Sequence, residues 1–152
     1  MVVIYTTPSC GSCRKAKKWF KERNIPFVEK NIFSVKLTKT DLQNILSLTE
    51  NGVTDIISTR SKVFMDNNID LESLTMSQLY DFVIANPSVL RRPLILDQEN
   101  LQVGYNEDDI RVFIPKDLRR LMICIDCKNN EECDVVFSLT DEERADILGR
   151  NA

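Results

Sequence analysis

The sequence predicts an α/β fold: a mixed four-stranded sheet carrying helices, interrupted by an inserted helical subdomain. Three observations lead there. An apolar, β-branched run (Val2-Val3-Ile4-Tyr5-Thr6) meets Thr7-Pro8-Ser9-Cys10-Gly11-Ser12-Cys13-Arg14, and Ala16, Trp19 and Phe20 then follow at helical spacing, which reads as strand, tight turn, helix. Residues 34–86 next turn helical in pattern. Strand signals resume at Leu94-Ile95-Leu96-Asp97, directly after Arg91-Arg92-Pro93.

Taken in order, the first helix is expected over residues 13–23 and is ended by Asn24-Ile25-Pro26. Residues 27–32 read as a second strand, parallel to the first through this crossover. In the helical stretch, Leu42, Ile45, Leu46 and Thr49 form one stripe and Met76, Leu79, Phe82 and Val83 another, with Thr38 and Thr75 as N-caps. Residues 58–64 read as a shorter helix between them. Asn51-Gly52 reads as a helix stop, with the glycine in the left-handed conformation. Asp97-Gln98-Glu99-Asn100 turns the third strand into a fourth at Gln102-Val103-Gly104, forming a hairpin. Asn106-Glu107-Asp108-Asp109 opens a helix carrying Ile110, Val112, Phe113 and Ile114, Pro115 stops or kinks it, and a further helical stretch runs from 116 to about 126. The expected division is a core of residues 1–33 and 87–121, a helical insert at 34–86, and an acidic, cysteine-containing C-terminal extension at 122–152.

A chain of 152 residues can bury a proper core, and 43% hydrophobic with 28% charged residues is ordinary for a soluble domain. No apolar run is long enough to span a bilayer and the N-terminus lacks a signal-peptide pattern, so the expected address is the cytoplasm, with no membrane partner. The absence of histidine removes metal–histidine sites, Cys–His nucleophile pairs and histidine general bases. Five cysteines in a reducing compartment then point to redox or metal chemistry rather than a disulfide framework. Charge is unevenly spread. Residues 1–33 carry seven Lys/Arg against Glu22 and Glu29, whereas residues 122–152 carry three Lys/Arg against eight Asp/Glu. The basic front suits a nucleic-acid backbone or an acidic protein surface, and the acidic tail would resist the former.

The chemistry concentrates at Cys10 and Cys13. A C-x-x-C at a strand–helix junction is the thioredoxin-like redox signature. Unpaired N–H groups and the dipole at a helix N-terminus stabilise a thiolate, so the first cysteine gains nucleophilicity. Arg14, Lys15, Lys17 and Lys18 push the same way, though exposed charges are screened. The alternative is a pair of buried structural cysteines. In thioredoxin-like folds a proline just before the third strand usually carries a cis peptide bond and sits opposite the C-x-x-C, and Pro93 occupies that place. A trans proline at an exposed strand start is its other reading.

The stretches TTPSCGSCRKA, NIPFVEKNIF, IISTRSKVF, LRRPLI and LQVGYNEDDIR, covering residues 1 to about 120, carry a resemblance. The inserted helical subdomain and the Arg-Pro before strand three resemble the arsenate reductase (ArsC-like) family. More closely, the chain resembles the Spx family of transcriptional regulators of Gram-positive bacteria. That resemblance implies a regulator that binds the C-terminal domain of the RNA polymerase α subunit, engaging promoter DNA only weakly or as part of the polymerase complex. It needs no cofactor, and the sequence has no helix-turn-helix reader of its own. It further implies that Cys10 and Cys13 are a redox switch, that Gly52 lies at the α-subunit contact, and that Arg92 sits near the disulfide, where a guanidinium meets an anion or an acidic side chain. Arg60 and Lys62 become candidate promoter-DNA or polymerase contacts, with a solvated surface as their plainer reading.

The enzyme alternative is an arsenate reductase or another thiol-disulfide oxidoreductase, the latter disfavoured because the basic helix and bulky insert would restrict access to protein substrates. An arsenate reductase would hold an oxyanion with Cys10, Arg60 and Arg92. A family enzyme has a third arginine after strand three, where this chain reads Gln102-Val103-Gly104-Tyr105-Asn106-Glu107 and shows none before Arg111. Cys13 also gives Cys10 a built-in resolving partner, which favours an internal disulfide. The regulator is therefore the leading expectation. The tail departs from the family: Cys124, Cys127 and Cys133 would need a non-histidine fourth ligand to hold zinc, so no metal is expected there. Relatives are controlled through C-terminal proteolysis by a cytoplasmic ATP-dependent protease, an implication that meets a divergent tail here.

Overall fold

The computed structural model describes residues 1–119. Strand β1 (Val2–Thr6) leads into helix α1 (Gly11–Glu22), which returns the chain to β2 (Phe27–Asn31). β1 and β2 are parallel, with Val2 opposite Phe27 and Thr6 opposite Asn31, as a strand–helix–strand crossover demands. Helices α2 (Lys39–Ser47), α3 (Val53–Ile56), α4 (Lys62–Asp66) and α5 (Met76–Ala85) come next. A 3-10 turn at Pro87–Val89 then delivers β3 (Leu94–Leu96) and β4 (Leu101–Val103), an antiparallel hairpin. Because β3 also runs antiparallel to β1, the sheet is mixed, in the order β2-β1-β3-β4. A 3-10 helix at Asp109–Phe113 follows.

Successive residues of a strand point to opposite faces of its sheet, and β1 uses this to serve two cores. Val2 and Ile4 pack with Ala16, Trp19 and Phe20 of α1, with Ile95, and with Ile110 and Phe113. Tyr5, with Val3 beside it, packs on the other face with Leu94 and Leu96 and with Leu42, Ile45, Leu79 and Val83 of α2 and α5. The apolar stripe of α1 is therefore what anchors its N-terminus at the end of β1. Burying Trp19 and Phe20 contributes about 1.5–3 kcal/mol apiece.

The helix caps are set by local chemistry. Thr38 and Thr75 cap α2 and α5, each closing a reciprocal capping box with Asp41 or Gln78, worth about 1 kcal/mol per cap. Asp41 also accepts from the Tyr5 hydroxyl at 3.0 Å and pairs with the Lys30 ammonium at 2.8 Å, tying α2 to the sheet. Burial alone would raise the Asp41 carboxyl, but the bonds from Lys30, Thr38 and Tyr5 outweigh it and hold its pKa at about 2. Burial and the Asp41 charge push the Tyr5 phenol above its ordinary value.

Three local readings of the sequence are corrected. α2 ends at Ser47 with Leu48 as its cap, so Gly52 does not stop that helix; it is the N-cap of α3, at φ 70° and ψ −135°. Residues 58–61 are not helical. Ile57 pairs instead with Leu90 in an isolated antiparallel bridge, and α4 begins only at Lys62, capped by the Ser61 side chain. Residues 109–113 form a 3-10 rather than an α-helix: the Asn106 side chain accepts from the Asp108 and Asp109 amides and tightens the first turn. The helical stretch expected from 116 begins there but is described only to 119. The extension at 122–152, with Cys124, Cys127 and Cys133, lies outside the described residues.

Candidate functional site

Cys10 is the N-cap of α1. Its backbone is extended (φ −86°, ψ 109°), and its sulfur accepts a hydrogen bond from the Cys13 amide at 3.1 Å. One helical turn brings the two sulfurs together, and Cys10 and Cys13 form a disulfide with their Cα atoms 5.2 Å apart. No acidic residue occupies the first turn of α1, so the helix end offers its positive pole to a Cys10 thiolate without opposition. The two sulfurs differ in access. Cys13 is 1% exposed while Cys10 is partly open to solvent, so a reagent from outside meets Cys10 first.

Cys10 opens into a cleft of about 350 Å³ lined by Thr7, Ser9, Ser58, Leu90, Arg91 and Arg92. The Arg92 guanidinium donates to the Thr7 hydroxyl at 3.4 Å, which turns it towards the C-x-x-C. The Arg92–Pro93 peptide bond is cis, and Pro93 is buried. Arg91 binds in the opposite direction: its amide donates to the Ile56 carbonyl at 2.7 Å and its Nε to the Ile57 carbonyl at 3.1 Å. The Ser58 amide donates to the Val89 carbonyl at 2.8 Å. These bonds stitch the end of α3 to the approach into β3, beside the cleft. With two arginines and three hydroxyl side chains lining the cleft beside one sulfur, it is built to receive an anion or an anionic side chain.

Gly52 lies at the other end of α3. A Cβ placed on it would meet nothing within 4 Å, so this backbone is open to an approaching surface. Asp55, in the first turn of α3, reaches back across the loop and accepts from the Glu50 amide at 3.1 Å, the Asn51 amide at 2.9 Å and the Asn51 side chain at 3.1 Å. The Asn51 bonds, chiefly, hold the Asp55 carboxyl below its ordinary pKa, and Arg91 adds to the effect through space. Arg60 sits in the exposed turn before α4 and Lys62 is its exposed first residue; neither lines the cleft. The structure thus brings Arg92 to the cleft that the Cys10–Cys13 pair opens into, with the buried cis Pro93 next to Arg92 in the chain, links Gly52 to that cleft through α3, and leaves Arg60 and Lys62 on the surface. Reasoning from sequence did not assign Arg91, Ser58 or Asp55. Arg91 was adjacent to a named candidate, whereas Ser58 and Asp55 gain their roles only from long-range pairing.

A Cys-x-x-Cys at the head of α1, a cis proline just before β3 and a run of helices between β2 and β3 define a thioredoxin-fold protein of the ArsC type, and the ArsC family model matches residues 5–113. Among solved structures, the fold resembles an ArsC family related protein from Bacteroides fragilis (TM-score 0.65, 23% identity, 74% of this chain and 97% of that one). It also resembles an arsenate reductase from Vibrio cholerae (TM-score 0.64, 17% identity, 74% and 97%). Within that class the chain belongs to the Spx family of global transcriptional regulators. It is 52% identical over 120 residues to global transcriptional regulator Spx of Streptococcus pneumoniae, covering 79% of this chain and 90% of the relative. The Listeria innocua regulator of the same name is 53% identical over 119 residues (78% and 91%), and that of Staphylococcus aureus 51% over 123 residues (81% and 94%). No described helix is long and apolar enough to cross a membrane.

Proposed function

We propose that this protein senses thiol-oxidising stress at Cys10 and Cys13 and passes the signal to RNA polymerase by docking on the C-terminal domain of the α subunit. The observation that carries the proposal is the disulfide itself, set at a helix N-terminus and opening into a cleft bonded to the helix that Gly52 begins. An oxidant such as a diazene or peroxide takes two electrons and two protons from the two thiols, closing the S–S bond. The closed pair repositions the start of α1 and the Arg92 side chain that faces it. Arg91 and Ser58 carry the change through the Ile57–Leu90 bridge to α3, and so to the Gly52 loop. In this reading Gly52 is the point of polymerase contact and the cis Pro93 sets the course of the chain from Arg92 into β3. Arg60 and Lys62 are free to meet polymerase or promoter DNA, which the protein engages only weakly or within the polymerase complex. The protein acts in the cytoplasm, where an ATP-dependent protease sets its level, and it is not an enzyme.

Co-purification with the α C-terminal domain tests this. Binding is expected, and Gly52→Arg is expected to remove it. The positive φ at Gly52 strains any side chain, so Gly52→Ala serves as a control: it suffers the same strain without the bulk, and it should keep more binding than Gly52→Arg. Equal loss in both would assign Gly52 to folding alone. A second reading, arsenate reduction, is favoured by one observation, a sulfur that opens into a cleft lined by two arginines. Thiol-dependent turnover of arsenate by the isolated chain would establish it.

A further inference from the structure

We infer that Asn51 is a self-modification site: the Gly52 nitrogen displaces its side-chain amide, Thr54 promotes that attack, Asp55 restrains it, and the carboxylate left behind unlatches the loop before α3. As regulation of a docking face, the inference rests on the reading of Gly52 as the polymerase contact. As chemistry it stands apart from that reading.

Sequence and exposure are the first argument. An asparagine loses its amide when the backbone nitrogen of the next residue reaches the side-chain carbonyl carbon, so the bulk of that next residue governs the reaction. Asn51-Gly52 is the one Asn-Gly pair in the chain. Asn24, Asn31, Asn44 and Asn68 each precede a β-branched isoleucine, and Asn86 precedes a proline, whose nitrogen has no proton to lose. Asn51 is exposed, and Gly52 places no side chain beside its own nitrogen.

Two sets of hydrogen bonds then act on the rate in opposite directions. The Thr54 hydroxyl donates to the Asn51 backbone carbonyl at 3.0 Å. That carbonyl belongs to the same peptide unit as the Gly52 nitrogen, so the bond steadies the charge that spreads over the unit when the nitrogen loses its proton. The Asp55 carboxylate accepts from the Asn51 side-chain nitrogen at 3.1 Å and from the Asn51 amide at 2.9 Å. It pins the leaving group and sets a negative charge beside the oxyanion that the attack must form.

The step balances without oxidant or reductant. The Gly52 nitrogen gives its proton to solvent hydroxide and bonds to the Asn51 Cγ. The Cγ–Nδ2 bond breaks, and the nitrogen takes a proton from water and departs as ammonia. Water then opens the cyclic imide at either of its two C–N bonds, leaving aspartate, or isoaspartate with one more carbon in the main chain. In the aspartate product an oxygen stands where the amide nitrogen donated, so acceptor faces acceptor and charge faces charge across the contact with Asp55. In the isoaspartate product the lengthened main chain shifts the entry into Gly52. Either product loses the side-chain bond by which Asp55 holds residue 51.

The test ages the full 152-residue chain in warm, mildly alkaline buffer and reads the mass gain of each asparagine peptide, with enzymatic methylation to count isoaspartate. Asn51 should convert well ahead of Asn106, an exposed asparagine followed by Glu107. Asp55→Asn keeps an acceptor but drops the charge, and should speed conversion about fivefold, the factor a unit charge exerts at about 4 Å even in water's dielectric. Thr54→Val should slow it about threefold. In urea the three chains should convert alike. Asn51 no faster than Asn106, both variants moving the rate the same way, or differences that persist in urea would each overturn the inference. The aged chain, separated by its extra negative charge, should exchange its Glu50 and residue-51 amides faster and bind the α C-terminal domain more weakly than fresh chain. Equal binding by the two would overturn the regulatory claim, whereas no binding by fresh chain would sink the polymerase reading and leave the chemistry of Asn51 standing.

Discussion

Cys10 and Gly52 hold the same position in two helices, and they solve it in opposite ways. Each is an N-cap whose helix leaves amides unpaired. At α1 the cap is a side chain on ordinary extended backbone, and its sulfur takes the amide of Cys13. At α3 the cap has no side chain, its backbone stands at φ 70°, and the loop before it is held from behind by Asp55. One site is made by what a residue carries and the other by what it lacks. Chemistry belongs at the first, and close approach of another backbone belongs at the second.

Substitution at Gly52 should show the difference most strongly. Gly52→Ala is expected to destabilise the fold by about 1–3 kcal/mol in urea denaturation, because φ 70° with ψ −135° suits glycine alone and the new methyl meets open space that offers no compensation. An unchanged midpoint would mean that the loop relaxes, and the contrast between the two caps would go with it. Next comes Cys13→Ala: a stability loss of about 1 kcal/mol, complete loss of the response to oxidant, and α-subunit binding retained in the reduced form. A variant that still answered oxidant like the wild type would remove the disulfide from the mechanism.

Asp55→Ala should leave Cys10 oxidation intact while weakening docking at Gly52, since it frees the Glu50 and Asn51 amides and touches nothing in α1. Equal effects on both would mean that the two caps are one unit. The smallest effect is one of pH. The Asp55 carboxyl lies below its ordinary 3.8 in the fold, so its contribution is present above that value and drains away as pH falls beneath it. Hydrogen exchange at the Glu50 and Asn51 amides should therefore gain an acid-dependent opening below pH 3.8. The Cys13 amide, bound to a sulfur that does not titrate in the disulfide, should show none. The Asp41 cluster provides a reference, with its loss placed lower, towards pH 2.

The same contrast explains what the sequence revealed. The strand–turn–helix at Cys10, the threonine caps at 38 and 75 and the β3–β4 hairpin all rest on spacing and neighbours within a few residues, and each stands in the structure. Gly52 was legible as a glycine with positive φ but not as a beginning. α2 stops four residues earlier on Leu48, a residue with no stop signal of its own. The Ile57–Leu90 bridge joins positions far apart in the chain, so nothing local marks Ser58 or Arg91 as neighbours of Cys10. Arg60 stands in the same block as that bridge yet does not line the cleft, because it falls in the exposed turn before α4.

Helices α2 and α5 form a whole wall, since Tyr5, Leu94 and Leu96 have those helices as their shelter from water. Splicing residue 33 to residue 87 would strip one side of the sheet bare, and the shortened product should aggregate rather than survive as a miniature. What looks along the chain like an added piece is, in three dimensions, half of the building's masonry.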